Sequence, residues 1–269
     1  MMTAKWSIII MFLIAISLSE SITLSLFNLS YAIDPEDVLA IWLFDEQKGN
    51  IVKDTSGNGH DGEIKGSPKW IDGKFGGGME FPEKAENYVN VPHDDNLNLT
   101  AFTVTYWGNL HKTATWQIPV TKSNAATSLR NFDFQIPGGG GTVSVYFTQG
   151  PSQWKGASAK TVVSDEKWHH VAGTYDLKNL RIYVDGVMEG ENTYKGPPDP
   201  VPDPLTIGGF IGGVDPVGGI LDEIGIFNKA LSDNDIKNIM TSGLEHFVLA
   251  IETQGKLTTT WAKIKDIFE

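Results

Sequence analysis

The chain predicts an all-β fold, a two-sheet antiparallel β-sandwich with one short helix near its C-terminal end. Three observations carry that prediction. Residues 167–187, KWHHVAGTYDLKNLRIYVDGV, hold two runs of alternating character around a polar break at Asp176 to Asn179. Period 2 with β-branched and aromatic residues is a strand signature, and Asp185-Gly186 is a hairpin signal because both residues tolerate positive φ. Runs of the same kind recur along the chain between glycine- and proline-rich breaks, while helical spacing comes only late, at Ser232 to Gly243.

Taken in order, residues 1–32 read as an export signal outside the folded domain. Lys5 precedes an apolar run from Trp6 to Leu18, Glu20 interrupts it, and Ser30 and Ala32 offer small residues at a cleavage site. The first run is about 13 residues, short of the roughly 20 that span a bilayer, although a retained anchor is the rival reading. Residues 33–243 form the sandwich domain, and residues 244–269 are a tail in which Trp261, Ile264 and Phe268 keep helical spacing. The mature chain is expected to be secreted, periplasmic or at the cell surface, with no stable membrane insertion after signal removal.

Charge narrows the partners. The sequence has 21 Lys and Arg against 33 Asp and Glu, a net charge of −12. Removing residues 1–32 takes one cation, Lys5, and one anion, Glu20, so the balance stands. Such a surface repels nucleic acid and anionic lipid and suits neutral or cationic partners and divalent metals. The same carboxylates also keep an exported protein in solution. There is no cysteine, so packing and not disulfides must hold the domain.

Within the domain, VLAIWLFD at 38–45 and ILDEIGIF at 220–227 are the early and late apolar strands, expected to pair. The loop DTSGNGHDGEI, 54–64, crowds glycines with Asp, Asn and Ser, so its backbone groups need local partners. Residues 102–110 alternate as a strand, and further strands are expected at 116–121, 132–136, 142–148 and 160–163. The stretch GPPDPVPDP, 196–204, is five-ninths proline and must be a rim loop. The helix begins at Ser232, presents Ile236, Ile239 and Met240 on one face, and stops at Gly243. About thirteen short strands with one late helix describe two packed antiparallel sheets.

The series AIWLFDE, DTSGNGHDG, PKWIDGKFGGGMEF, YVNVP, WHHVAGTYD, LRIYVDG, LTIGG and LDEIGIFNKALSDNDI, from about residue 38 to 242, resembles the laminin-G-like jelly-roll family. That family lies in the concanavalin A-like lectin and glucanase superfamily. The resemblance implies a jelly-roll sandwich, usually an extracellular module that binds glycans or proteins, often with one calcium, and it does not imply an enzyme.

The chemistry legible in the residues agrees. Retaining glucan hydrolysis needs two carboxyl groups about 5–5.5 Å apart, which carboxylates alternating on one strand supply. No such run exists: Asp222 and Glu223 are adjacent and on a regular strand would face opposite sides. His169 and His170 are likewise adjacent, lack a Cys or distinctive Ser partner, and read as structural. Calcium takes six to eight oxygens, many from backbone. Asp54 and Asn58, with Asp61 in the same loop and Asp222 on the neighbouring late strand, are the candidate ligands for a structural Ca2+, and a self-bonded turn explains the same residues. Sugar binding would use aromatic faces beside polar groups. Trp107, Trp116, Tyr146 and Trp154 are the candidates, with Trp116 and Trp154 expected near solvent. The expected function is a secreted, non-catalytic recognition module for carbohydrate or extracellular protein. The alternatives are an adhesive structural protein acting through its tail and, least favoured, a glycoside hydrolase relative.

Overall fold

A computed structural model describes residues 33–124, 126–211 and 215–247. The expected export signal at 1–32 and most of the tail, 248–269, lie outside the described residues. Sixteen strands and one α-helix are seen among those described. The strands are β1 (Val38–Trp42), β2 (Ile51–Val52), β3 (Gly62–Lys65), β4 (Lys69–Asp72), β5 (Gly77–Phe81), β6 (Tyr88–Val91), β7 (Phe102–Leu110) and β8 (Val120–Asn124). They continue as β9 (Leu129–Gln135), β10 (Thr142–Thr148), β11 (Trp154–Val162), β12 (Trp168–Tyr175), β13 (Asn179–Val184), β14 (Val187–Thr193), β15 (Leu205–Ile207) and β16 (Gly219–Phe227). The helix α1 spans Asp233–Ser242.

They form two antiparallel sheets of eight. The first has the order β14-β13-β12-β7-β16-β5-β4, with β1 also on β16; the second has the order β11-β10-β9-β8-β15-β6-β3-β2. The early and late strands pair as expected, with Ile41 opposite Gly225 and Trp42 opposite Ile224. The Asp-Gly hairpin is also found: Asp185 and Gly186 have φ of 50° and 74°, and Val184 faces Val187 across the turn. Both central residues at positive φ make the turn whose twist matches its strands. Asp185 also accepts from the amide of His170 at 2.9 Å, tying the turn to β12.

The core lies between the sheets. Trp42, Phe44, Phe81, Phe102, Val104, Tyr106, Phe132, Phe134, Val145, Phe147, Tyr175 and Ile182 point into it and are almost wholly buried. Alternation then sends the residues between them outward, which is what builds two distinct outer faces.

The helix starts where its capping residues say it should. Ser232 accepts from the Asp235 amide while the Asp235 carboxylate accepts from the Ser232 amide, a reciprocal capping box, and Gly243 closes the other end at φ 75°. Tyr183 donates to Asp233 at 2.9 Å and Thr103 Oγ1 accepts from the Leu231 amide at 2.8 Å, so the helix and the segment before it lie across the outer face of the first sheet.

β16 departs from regular geometry where it matters. Its pairing with β7 skips between Asp222 and Gly225, and Glu223 sits at φ 52°. Leu221 and Ile224 both enter the core. The two residues between them therefore share the outer side, which corrects the expectation that Asp222 and Glu223 face opposite ways. A bulge adds one residue and resets the alternation.

Candidate functional site

The second sheet carries a polar outer row that can be read from its ladder. Gly156 faces Tyr146, Tyr146 faces Asp133, Asp133 faces Thr121, Thr121 faces Thr206 and Thr206 faces Asn90. Their sequence neighbours Val145, Phe132, Phe134, Val120 and Val89 are core, so this row faces away from it. At one end of the row stands Trp154, opposite Thr148 at the start of β11.

Trp154 is 40% exposed, yet it is held on two sides. The Arg130 guanidinium carbon lies 3.9 Å from the centre of its ring, and Tyr146 meets it edge to face with ring centres 5.6 Å apart. Arg130 is itself pinned: Nε lies 2.6 Å from Oδ2 of Asp133, which also accepts from Gln135 Nε2 at 2.7 Å. Burial raises the Asp133 carboxyl above its ordinary range against the pull of Arg130. Three buried atoms on this face have no protein partner: Nη1 of Arg130, Oδ1 of Asp133 and Oγ1 of Thr206. Asp215, whose carboxyl burial also raises, lies within electrostatic range of Arg130. The proline-rich loop rims this end, as expected, with Asp199 Oδ2 accepting from Thr148 Oγ1 and from the Gly150 amide, both at 2.7 Å.

Of the four expected aromatic residues, Tyr146 and Trp154 are therefore brought together. Trp116 is 46% exposed in the loop before Gln117, which bridges Ile136 just past β9. Trp107 belongs elsewhere. It is 5% exposed on the outer face of the first sheet, stacked beside His170 at 5.4 Å and Phe75 at 6.2 Å, with Lys74 Nζ 4.4 Å above its ring. The strand parity of 102–110 was legible, but the packing of the Lys74–Phe75 turn and His170 against the ring was not. Arg130 and Asp133 went unnoticed because their meeting with Trp154 spans three strands.

His170 is fully buried against Trp107 with neither ring nitrogen partnered, and burial holds its imidazole down to about 4. His169 lies between two carboxylates, Nδ1 2.8 Å from Asp185 and Nε2 3.1 Å from Asp165. Neither histidine is beside the Trp154 row.

The expected calcium ligands are not assembled. Asp54 is committed to backbone: its oxygens accept from the amides of Ile41, Ser56 and His60 at 3.0, 3.0 and 2.9 Å. Asn58 uses its amide nitrogen to donate to the carbonyls of Val38 and Leu39 at 2.9 and 3.0 Å. These side chains thus satisfy backbone groups of the loop and of β1. Asp222 lies instead against the turn before β5, where Oδ2 accepts from the amides of Lys74 and Phe75 at 2.8 and 3.0 Å while Oδ1 has no protein partner. Burial pushes its carboxyl up to about 7, helped by the negative charge of Asp45. Glu223 is pushed up to about 8 by burial, with Asp222, Asp45 and Glu245 adding to it, and it accepts from the Leu244 amide. Among the described residues no three His, Asp or Glu side chains converge as a metal-ligand set.

A profile of the concanavalin A-like lectin/glucanases superfamily matches residues 83–237. The binding domain of Paraclostridial Mosquitocidal Protein 1 superposes with a TM-score of 0.64 at 14% identity, covering 77% of this chain and 52% of that one. Domain 4 of AbnA, a GH43 extracellular arabinanase from Geobacillus stearothermophilus, in complex with arabinotriose, gives 0.60 at 19% identity, covering 76% of this chain and 98% of that one. The binding domain of botulinum neurotoxin DC in complex with SialylT gives 0.60 at 15% identity, with 77% and 52% covered. The chain spans about half the length of the two toxin domains. At these identities the likeness is one of fold. No curated protein matches the chain by sequence.

Proposed function

The chain belongs to the concanavalin A-like lectin/glucanases superfamily, and from that premise we propose that it is a non-catalytic recognition module binding carbohydrate on the outer face of its second sheet. The observation that carries the reading is Trp154: an indole left 40% exposed while a guanidinium and a phenol fix its position beside a polar row. Sugar rings present C–H groups to an aromatic face and hydroxyls to neighbouring polar atoms. The exposed indole supplies the first and the partly exposed Arg130, Gln135 and Tyr146 the second, while Asp133, Thr121 and Thr206 lie buried beneath. The arabinotriose complex of the arabinanase domain supports the substrate class, since that domain is matched over nearly its whole length.

Two features support the non-catalytic part. The adjacent carboxyl pair on β16, Asp222 and Glu223, is buried and engaged with backbone amides, so a substrate has no access to it. On the Trp154 face Asp133 is fully buried, with its Oδ2 held by Arg130 and Gln135.

Export is part of the proposal and rests on the first 32 residues. Among the described residues no helix is long and apolar enough to cross a membrane. Calcium enters the proposal at Asp222 and not at the 54–61 loop. Asp222 has a buried oxygen without a protein partner and feels the charge of Asp45, so Asp222 and Asp45 would hold the ion with backbone carbonyls and water completing it. There it would neutralise buried carboxylates and tie the late strand to the turn before β5.

The test is a glycan array probed with the intact protein and with Trp154→Ala. Binding to a saccharide that Trp154→Ala loses supports the proposal; an array without any bound glycan, or one unchanged by the substitution, rejects it.

A further inference from the structure

The Trp154 site holds a cation, and the sign of the ligand turns on what that cation is doing. Arg130 commonly takes carboxylates and phosphates with its planar fork. Here the fork is already engaged. Its Nε is 2.6 Å from Asp133 Oδ2, its central carbon lies 3.9 Å from the centre of the Trp154 ring, and Asp215 lies within electrostatic range of it. One guanidinium charge meets two carboxyl groups, so this corner carries no surplus positive charge. The whole chain, at net −12, adds none.

The unpartnered atoms point the same way. Asp133 Oδ1 and Arg130 Nη1 are closed to solvent, so a ligand meets Arg130 and Asp133 as a largely buried, mutually compensated pair and not as a free cation. A carboxylate is an acceptor only, and beside Asp133 it would meet like charge.

We infer, resting on the carbohydrate reading above, that the site selects neutral saccharides and rejects acidic ones such as sialylated or uronate-containing glycans. Arg130 is then a positioning residue: Asp133 orients the guanidinium, the guanidinium backs one face of the indole, and the sugar stacks on the surface left exposed.

The experiment is titration of the intact protein with arabinotriose, a neutral glucotriose, 3′-sialyllactose and trigalacturonic acid, at low and high salt, followed by calorimetry and tryptophan emission. At least one neutral trisaccharide is expected to bind with an affinity that salt leaves unchanged, because screening acts on charge–charge attraction. Arg130→Lys keeps the charge but loses the stacked plane, so it should weaken that binding about tenfold and shift the tryptophan emission. Asp133→Asn uncovers the Arg130 charge, so it should gain affinity for 3′-sialyllactose while losing affinity for the neutral sugar. A wild-type protein that binds an acidic glycan through salt-sensitive contacts overturns the inference while leaving carbohydrate binding intact. Arg130→Lys leaving both binding and emission unaltered, in protein that melts like wild type, overturns the positioning role. Failure to bind any of these sugars, together with a blank array, removes the underlying reading instead.

Discussion

Glu189 on the edge of the first sheet holds Thr161 on the edge of the second. Its Oε2 accepts from the Lys160 and Thr161 amides at 2.7 and 2.8 Å, and its Oε1 takes the Thr161 hydroxyl at 2.6 Å. Asn192 Nδ2 adds a bond to the Gly156 carbonyl at 2.6 Å along the same seam. The side chains of β14 thus satisfy edge groups of β11 that would otherwise recruit another strand. Glu189→Ala should cost about 1–2 kcal/mol, since it strands two amides and a hydroxyl. The check is denaturant melting together with light scattering: an unchanged midpoint and no added self-association would count against the seam.

The capping box makes a second prediction. Ser232→Ala and Asp235→Ala should each lower stability by about 1 kcal/mol, because each removes one half of a reciprocal pair. The double variant should lose less than the sum of the two. Additive losses would show that the two side chains act independently.

A third concerns acid. The folded pKa of His170 is held down to about 4, below its ordinary 6.5, so between these values the unfolded chain binds more protons than the folded one. The neutral ring is fully tolerated above pH 6.5, and stability is lost as pH falls from there towards 4, by about 3 kcal/mol at about 1.4 kcal/mol per unit. Nearby Asp185 favours the charged ring and moderates the loss. Comparing wild type with His170→Gln across this range isolates the contribution: the variant should keep more of its stability as the pH drops. Parallel curves would place the acid sensitivity elsewhere.

Calcium binding at Asp222 has a simple readout. The midpoint of thermal unfolding should be higher in calcium than in chelator, and Asp222→Asn should abolish the difference. Equal midpoints for wild type in the two buffers would remove the ion from the proposal.

Solvent access separates the tryptophans. Mild N-bromosuccinimide oxidation read by mass spectrometry should modify Trp154 and Trp116 before Trp42 and Trp107, in line with their exposure. Early oxidation of Trp107 would mean that the Lys74–Phe75 turn does not cover it.

The sequence disclosed the elements that announce themselves locally. Asp185-Gly186, the Ser232 cap and the apolar runs that became β1 and β16 all carry their signal within a few residues. β14 did not, because VMEGENT is an exposed edge whose pairing is made by backbone and whose side chains are mostly polar and solvated. β11 likewise ran further towards its N-terminus than the apolar residues at 160–163 suggested, since Trp154 to Ser158 alternates small with exposed residues. The bulge at Asp222–Glu223 left no local mark, as positive φ at a glutamate follows from pairing on both sides of β16. Half of the aromatic site was legible as residue types. Its organisation was not, because Arg130, Tyr146 and Trp154 sit on three successive strands and meet only once the sheet exists.

That ladder has an evolutionary implication. Along β9 and β10, one residue answers to the interior and the next to the surroundings, so the outward set can be rewritten without unsettling the inward one. Exchanging the partly exposed Tyr146 or Gln135 for other polar or aromatic residues would retune what the proposed site recognises at little cost to the scaffold, whereas Asp133, buried with Arg130, is not free to change. Such a sheet behaves as a keyboard: many melodies, one instrument.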